Sequence, residues 1–329
     1  MEYAKLGNTD ISVSRLCVGC MSYGQPSEDF HKWTLDYDRS REMIACAWDL
    51  GVNFFDTANV YSFGSSEEYL GRAVRDLKIP RDRIVLASKV YFNEGFLSRE
   101  AILREIDGTL KRLGTDYLDL YQIHRFDYST PPEEFMGALD SLIRAGKVRA
   151  IGASAMFGYQ FHNLQIIAER NGFAGFSTMQ NHYNLLYRED ERELIPICRQ
   201  YGVSLIPYSP LAGGHLSRRE WNSDSLRSAS DRVSRQKYDQ ARENDTEIIE
   251  RVYALAEKRG VSMTEISLAW LLHRGVAAPI VGATKPWHFE AAVKALSLKL
   301  DEEELRSLEE PYRAHEVVGA LSSNITLSK

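Results

Sequence analysis

The chain has 329 residues, of which 44% are hydrophobic and 26% charged, and its formal net charge is −6. This composition is ordinary for a soluble globular protein, and the acidic balance gives no electrostatic reason to expect a nucleic-acid or membrane partner. Because no stretch reaches ~18 apolar residues and the first residues lack the apolar core of a signal peptide, we expect a soluble, cytoplasmic protein.

The predicted secondary structure begins with a short hairpin. Two strand-like segments, residues 3–6 and 11–13, are joined by Gly7-Asn8-Thr9-Asp10, which is a typical turn composition. Eight strand patterns alternate with helical patterns after the hairpin. They cover residues 15–19, 53–56, 84–88, 117–123, 148–153, 176–181, 203–207 and 278–281. A further helix is predicted from Asp301 onward, after the last of these alternating helical patterns.

Three of the helical patterns carry start signals. The Ser-x-x-Glu sequences at Ser65 and Ser262, and the sequence Thr130-Pro131-Pro132-Glu133, predict capping boxes. In a capping box the hydroxyl and the acid each bond a backbone amide at the helix start. The proline after Thr130 also suits a first helical position, where no backbone donor is lost.

Eight alternations of strand and helix predict a parallel sheet, either closed as a barrel or open with helices on both faces. The glycine fingerprint of open dinucleotide-binding sheets is absent, and so is the phosphate-loop sequence Gly-x-x-x-x-Gly-Lys-Ser/Thr. Polar residues at the strand ends favour the closed form, because barrel enzymes carry their chemistry there. We therefore predict one α/β domain over residues 1–329, a (β/α)8 TIM barrel with an N-terminal β-hairpin and an accessory C-terminal helix.

Four polar residues at the ends of three successive predicted strands form the candidate catalytic site. They are Asp56, Tyr61, Lys89 and His124. A tyrosine with its ordinary pKa of ~10 holds its proton too firmly for fast exchange at neutral pH. A nearby ammonium stabilises the phenolate and lowers this pKa, and a carboxylate keeps the ammonium charged and in place. Tyr61 is therefore a candidate general acid.

The cysteine pattern predicts packing and not chemistry. Cys17-Val18-Gly19-Cys20 has the spacing of redox dithiols and of half of many zinc sites. No second ligand pair with suitable spacing accompanies it in the sequence, so we predict no metal site. The pair ends an apolar strand pattern instead of opening a helix, which favours a packing role at the inner rim over redox chemistry.

A long loop is predicted from about residue 213 to 244, between the seventh strand and the next helix. Its cations are Arg218, Arg219, Arg227, Arg232, Arg235 and Lys237. Such a long connection in a compact barrel is typical of a lid or a binding loop, and the cations favour a polyanion such as a pyrophosphate. Interspersed acids leave a solvated surface loop as the alternative.

Motifs along nearly the whole chain resemble those of the aldo-keto reductase superfamily. The catalytic segments are Asp56-Thr57-Ala58-x-x-Tyr61, Ser88-Lys89 and Gln122-Ile123-His124-Arg125, and the later segments cover residues 151–154, 179–181, 207–211 and 279–285. The pattern is most like that of bacterial general aldo-keto reductases related to potassium-channel β subunits. The resemblance implies NADPH-dependent reduction of aldehydes or ketones to alcohols by hydride transfer. The resemblance further implies that Tyr61 is the general acid and that Lys89, paired with Asp56, lowers the pKa of Tyr61. His124 is implied to orient the carbonyl.

The resemblance also implies the residues that bind the cofactor. NADPH is favoured over NADH because Lys285 can pair with the additional phosphate. Ser154, Gln180 and Asn181 are expected to hold the nicotinamide carboxamide, and Tyr208 is expected to stack on the nicotinamide ring. The other implied cofactor contacts are Cys20, Met21, Ser209, Pro210, Leu211, Gly213, Ser217, Arg219, Gly282, Thr284 and His288.

The implied substrate is a small carbonyl compound. Its pocket is predicted to include Tyr23, Trp33, Tyr91 and Arg125. The aromatic residues suit apolar or aromatic aldehydes, or the apolar face of a sugar. Arg125 either binds a carboxylate or phosphate of the substrate or is neutralised by Asp127 or another acid, and neutralisation is the preferred interpretation. Two other functions stay open: a cofactor-sensing regulatory subunit with secondary turnover, and a barrel enzyme acting on sugar phosphates.

Overall fold

The computed structural model describes residues 1–27, 31–221, 232–317 and 321. It begins with the expected hairpin, in which β1 (Tyr3–Lys5) pairs antiparallel with β2 (Ser12–Ser14). Leu6, Ile11 and Val13 of the hairpin are buried in one cluster with the first inward-facing side chains of the barrel strands. The hairpin therefore covers the amino-terminal end of the barrel.

Eight parallel strands follow in the predicted order. They are β3 (Cys17–Gly19), β4 (Phe54–Asp56), β5 (Val85–Val90), β6 (Leu118–Ile123), β7 (Val148–Ser154), β8 (Thr178–Gln180), β9 (Ser204–Leu205) and β10 (Ile280–Val281). Each pairs with its neighbour in chain order as far as β9, and β10 pairs with β3. Backbone amides of Ala277 and Ile280 donate to the carbonyls of Leu205 and Pro207, at 2.9 and 3.0 Å, which joins the two ends. The (β/α)8 prediction is confirmed.

Helices surround the sheet and bury one face each. They are α1 (Tyr37–Asp49), α2 (Ser65–Asp76), α3 (Arg99–Leu113), α4 (Pro132–Arg144), α5 (Gly158–Asn171), α6 (Leu194–Gln200), α7 (Arg232–Tyr238), α8 (Arg242–Arg259), α9 (Met263–His273), α10 (Pro286–Ala295) and α11 (Glu302–Glu309). In α2 the buried residues Leu70, Ala73 and Val74 recur at helical spacing, so they form a stripe toward the barrel. Within the described residues, none of these helices combines the length and apolarity that a membrane crossing needs.

Two of the expected helix starts are confirmed. At α9 the amide of Glu265 donates to the Ser262 hydroxyl at 3.3 Å, and the amide of Ser262 donates to the Glu265 carboxylate at 2.9 Å. The accessory helix α11 follows Asp301, whose carboxylate accepts from the amide of Glu304. Both caps satisfy backbone donors that have no partner inside the helix.

The other two capping boxes are wrong. The residue before α2 is Gly64, in the left-handed conformation with φ 92°, so Ser65 already lies inside the helix. Before α4, the Thr130 hydroxyl donates to the Asp127 carboxylate at 2.7 Å, which removes it from the helix end. Pro131 precedes α4, and the first helical residue is Pro132.

The predicted long loop contains helix wherever the structure describes it beyond Trp221. Its first turn is a 3-10 helix over Ala212–Ser217, and α7 and α8 cover most of the chain from Arg232 onward. The expectation on Arg227 lies outside the described residues, and so does the side chain of Arg232. The described part is thus more ordered than a long binding loop requires.

Strand alternation places the polar groups inside the barrel in one layer. Inward side chains at the amino-terminal end are apolar, for example Phe54 and Leu120. Two residues later on the same strands, Asp56 and Gln122 face inward, because side chains at i and i+2 share a face. Lys89 lies within β5 and pairs in register with Gln122, whereas the sequence predicted that it follows the strand.

Candidate active site

The ammonium of Lys89 lies at the centre of the site and is fully buried. Its Nζ is 2.5 Å from Oδ2 of Asp56 and donates to the backbone carbonyl of Thr57 at 2.8 Å. Its third contact is the Tyr61 hydroxyl, at 3.2 Å. One cation therefore links the carboxylate at the end of β4 to the phenol five residues later.

The second oxygen of Asp56 is also engaged. Its Oδ1 accepts hydrogen bonds from the side-chain amides of Gln122 at 2.8 Å and Gln180 at 3.0 Å. These two donors fix the carboxylate in its orientation toward Lys89. The sequence analysis gave Gln122 no role of its own. Its position two residues before His124 on one strand was the available signal.

Burial and charge act in opposite directions on these groups. Burial lowers the pKa of Lys89, but Asp56 and Tyr61 together raise it by more than burial lowers it. The net pKa of Lys89 therefore lies above the ordinary value. Burial raises the pKa of Tyr61, Lys89 lowers it and Asp56 raises it, and the net pKa is again above the ordinary value. The expectation of a lowered Tyr61 pKa is therefore wrong for the resting site. Tyr61 is held as a neutral phenol beside a cation.

His124 follows β6 and stands beside the phenol. Its ring meets the ring of Tyr61 edge-on, with centroids 5.8 Å apart, and meets Phe92 at 5.1 Å. Burial, then the charges of Lys89 and Arg125, hold its pKa well below the ordinary value. Its Nδ1 is buried and has no hydrogen-bond partner in the described part of the chain. A neutral imidazole and a neutral phenol thus share one corner of the barrel mouth.

The backbone after Tyr61 has an unusual conformation. Ser62, Phe63 and Gly64 all have positive φ, at 45, 55 and 92°. Two consecutive left-handed non-glycine residues are costly and persist only where the surroundings enforce them. Gly24 provides the space, because a Cβ there would lie 2.6 Å from the Cβ of Ser62. The turn holds Tyr61 over Lys89.

The residues expected at the nicotinamide carboxamide divide into two groups. Ser154 lies at the end of β7, and its hydroxyl donates to the Gln180 carbonyl at 2.8 Å, so these two residues meet. The next side chain, that of Asn181 just after β8, points the other way and donates to Asp190 at 2.9 Å. Burial raises the pKa of Asp190 to about 7, and the bond from Asn181 opposes this. Asn181 therefore holds the turn behind the strand.

Tyr208 lies half-buried at the barrel mouth in a stack of rings. The ring of His182 is nearly parallel to that of Tyr208, with centroids 5.3 Å apart. The ring of Tyr187 also stacks on the imidazole of His182, with centroids 4.1 Å apart. The Lys237 ammonium of α7 is 4.5 Å from the centroid of the Tyr208 ring. The sequence analysis missed His182, whose inward position follows from its spacing of two residues after Gln180.

The loop expected to follow a pyrophosphate has a distinctive backbone. Ser209, Ala212, Gly213 and Gly214 all have positive φ, and the Ser217 hydroxyl donates to the Gly214 carbonyl at 2.8 Å. Pro210 and Leu211 lie within the same turn. Arg219 points away to α8, where it pairs with Glu250 at 2.9 Å. In this structure its Nε is therefore paired with an acid of α8.

The remaining expected cofactor residues lie in two turns. Gly282, Thr284, Lys285 and His288 surround the start of α10, where Lys285 is exposed with its ammonium 4.8 Å from the Trp287 ring centroid. Burial, then the charge of Lys285, lowers the pKa of His288. Cys20 and Met21 lie in the 3-10 turn after β3.

The thiols of the Cys17–Cys20 pair are both buried and unbridged. Burial raises the pKa of each, which disfavours the reactive thiolate. No group of three or more metal-ligating side chains occurs among the residues that the structure describes.

The expected substrate residues occupy different depths. Tyr23 is fully buried in the core near Cys46 of α1, and Trp33 is buried and stacked on His31 at 4.6 Å. Tyr91 is half-buried and contacts Phe92 at 5.0 Å and the exposed Phe96 at 5.3 Å. Arg125 is half-buried beside His124. Tyr91 and Arg125 are thus the accessible members of the set.

A buried Asp–Lys–Tyr chain beside a neutral histidine, at the carboxyl ends of barrel strands, defines a (β/α)8 enzyme equipped for proton transfer at a polar substrate group. The profile of the aldo/keto reductase family matches residues 15–313. The chain belongs to this family, as its motifs predicted, and carbonyl reduction by an oxidoreductase is supported.

Curated relatives agree over almost the full length. The chain is 42% identical to a versiconal hemiacetal acetate reductase of Aspergillus parasiticus, over 95% of this chain and 97% of the relative. It is 43% identical to a putative aryl-alcohol dehydrogenase of Schizosaccharomyces pombe, over 94% and 95%. An aldo-keto reductase of Metarhizium robertsii is 42% identical, over 97% and 93%. The finer likeness to bacterial relatives of channel β subunits stays a prediction.

Proposed function

We propose that this protein reduces aldehydes or ketones to alcohols with NADPH, and that Tyr61 is the general acid. The observation that carries the proposal is the buried contact chain from Asp56 through Lys89 to the Tyr61 hydroxyl. A structural ion pair would not need a phenol held at 3.2 Å from the ammonium in a strained turn beside a neutral imidazole.

The described residues fit a nicotinamide cofactor. Tyr208 offers a ring at the mouth, and the positive-φ turn from Ser209 to Gly214 presents backbone amides at close approach. The exposed ammonium of Lys285 at the start of α10 suits a phosphate on the adenosine side. Bound there, NADPH supplies the hydride.

The chain's own residues handle the proton and the developing charge. The Tyr61 hydroxyl donates to the carbonyl oxygen and then transfers its proton to the alkoxide. Lys89 stabilises the phenolate that this transfer leaves, and Asp56 keeps Lys89 charged. His124 is the second group facing the oxygen, and as a neutral imidazole it donates a hydrogen bond through its N–H.

The wall of the mouth suits an aromatic substrate. Phe92 and Phe96 are 40% and 46% exposed and pack around Tyr91. Exposed aromatic side chains grouped beside a catalytic histidine offer stacking surface to a planar substrate. The name of the fission-yeast relative, an aryl-alcohol dehydrogenase, is consistent with this choice.

The test combines binding with turnover. For Tyr61→Phe we expect NADPH affinity, from a fluorescence titration, within about threefold of the wild type, because the phenol adds little to cofactor binding. Reduction of benzaldehydes at 340 nm should fall by a factor of about 10² or more. Tyr121→Phe is the matched control, since it removes a buried hydroxyl that has no hydrogen-bond partner among the described residues. Lost NADPH binding with undiminished chemistry contradicts the assignment.

Cofactor preference is tested at Lys285. In Lys285→Ala we expect NADPH to bind at least about tenfold more weakly, the scale of a hydrogen bond to a charged group. NADH should bind nearly unchanged because it lacks the additional phosphate. Equal weakening of both cofactors would remove Lys285 from the phosphate site.

A further inference from the structure

Arg125 places a positive charge beside the catalytic imidazole. The residue follows His124 directly, and the carbon of its guanidinium is 4.8 Å from the centroid of the Phe92 ring. The same Phe92 ring meets His124 edge-on at 5.1 Å. The guanidinium and the imidazole are therefore no more than about 10 Å apart, with one aromatic ring holding the cation in place.

Asp127, two residues after Arg125, does not neutralise it. Asp127 accepts hydrogen bonds from the amides of Leu97 and Ser129, at 3.0 and 2.8 Å, and from two hydroxyls of the following turn. Among the described residues, no carboxylate lies within 4 Å of the Arg125 guanidinium nitrogens, whereas Arg112 is paired in this way with Glu67. The interpretation that Asp127 neutralises Arg125 is therefore wrong.

The charge of Arg125 influences the pKa of groups on three sides of the barrel mouth. Burial lowers the pKa of His124, which follows β6, and the charges of Lys89 and then Arg125 lower it further. Burial and Asp127 raise the pKa of Tyr91 on the β5 side, and Arg125 opposes them. Burial raises the pKa of Tyr208 beyond β9, and Arg125 opposes this too. The charge of Arg125 therefore acts on ionisable groups at three different strand ends.

We propose that Arg125 binds an anionic group on the carbonyl substrate, so that the preferred substrates are aldehydes or ketones carrying a carboxylate or phosphate. This inference rests on the proposed reductase function. With the carbonyl oxygen at Tyr61 and His124, an aromatic ring against Phe92 would carry the anion to the guanidinium. A guanidinium is suited to this role because its planar fork matches both oxygens of a carboxylate.

The test compares 4-formylbenzoate with its uncharged methyl ester. We expect the wild type to favour the anion in kcat/KM, and Arg125→Gln to reduce kcat/KM for the anion by about 10- to 100-fold, the scale of a charge-assisted hydrogen bond. The ester should change by less than about threefold. Arg125→Lys should retain part of the preference, and Arg41→Gln, an exposed site on α1, controls for the loss of one charge. Equal losses for both substrates would show that Arg125 only supports Phe92 and would overturn the proposal.

Two further measurements separate the sources of failure. A tenfold weaker NADPH affinity in Arg125→Gln, with an unchanged substrate ratio, would mean that Arg125 holds a cofactor phosphate, and the proposal would be overturned. If the wild type reduces neither aldehyde, the proposed reductase function fails for this substrate class. Arg125 is then judged from fluorescence titrations with 4-formylbenzoate and its ester. Selective binding of the anion that Arg125→Gln abolishes supports the anion site, and equal binding of both overturns it.

Discussion

Asp56→Asn tests whether the carboxylate is what keeps Lys89 charged. At an effective dielectric constant of about 20, unit charges at the 2.5 Å separation of this pair attract by roughly 7 kcal/mol, part of which offsets the cost of burying them. Asparagine leaves the buried ammonium without a counter-charge, because the Thr57 carbonyl and the Tyr61 hydroxyl that it also contacts are neutral. We expect the free energy of unfolding at pH 7 to fall by about 3–5 kcal/mol, as for other broken buried pairs.

The measurement is guanidinium denaturation of Asp56→Asn, Lys89→Met and the double variant. The double variant should recover much of the stability lost by Asp56→Asn, because it removes the stranded charge as well. Its reductase activity should stay low, because no cation is left to stabilise the Tyr61 phenolate. A change below about 1 kcal/mol for Asp56→Asn, or purely additive effects in the double variant, would refute a coupled buried pair.

Three further outcomes follow from the same structure. Since the pKa of Tyr61 is raised and that of His124 lowered, kcat/KM for reduction should stay flat between about pH 6.5 and 9, and an inflection near neutrality would contradict these protonation states. Burial lowers the pKa of His215 to about 4, below its value of about 6.5 in the unfolded chain. Its contribution to stability is present above pH 6.5 and lost toward pH 4, so the melting temperature should fall across this range in wild type and less in His215→Phe. In Gly71→Ala the new Cβ would lie 2.1 Å from the Leu113 carbonyl oxygen, so despite alanine's better helix propensity we expect a loss of about 1–3 kcal/mol in thermal or chemical unfolding.

The barrel and the catalytic group were predictable because they depend on local patterns. Strands of a closed parallel barrel present their carboxyl ends at one rim, so Asp56, Lys89 and His124 meet whatever the details of the helices. Element limits were less predictable. The serine of a Ser-x-x-Glu pattern caps α9 at Ser262 but lies inside α2 at Ser65, because the preceding Gly64 supplies a left-handed start.

Contacts across the barrel could not be read from the sequence. Strand alternation turns Asn181 away from the site toward Asp190, although its neighbour Gln180 reaches Asp56. The sign of the Tyr61 pKa shift was also out of reach, since a motif shows the cation but not the depth of burial. The contact between Gln180 and Asp56 and the burial of Tyr61 both depend on packing between segments that are far apart in the chain.

The opposition between burial and charge at Tyr61 explains why the site needs both. If Lys89 lowered the pKa of an exposed tyrosine, part of the enzyme would rest as phenolate and could not donate a proton. Burial keeps the phenol protonated while substrate binds, so the attraction to the ammonium is realised mainly when the proton leaves. An interaction that is stronger in the transition state than in the ground state is the kind that raises kcat. On this argument, replacing residues that seal the pocket around Tyr61 should lower kcat for reduction even where the contacts among Asp56, Lys89 and Tyr61 remain intact.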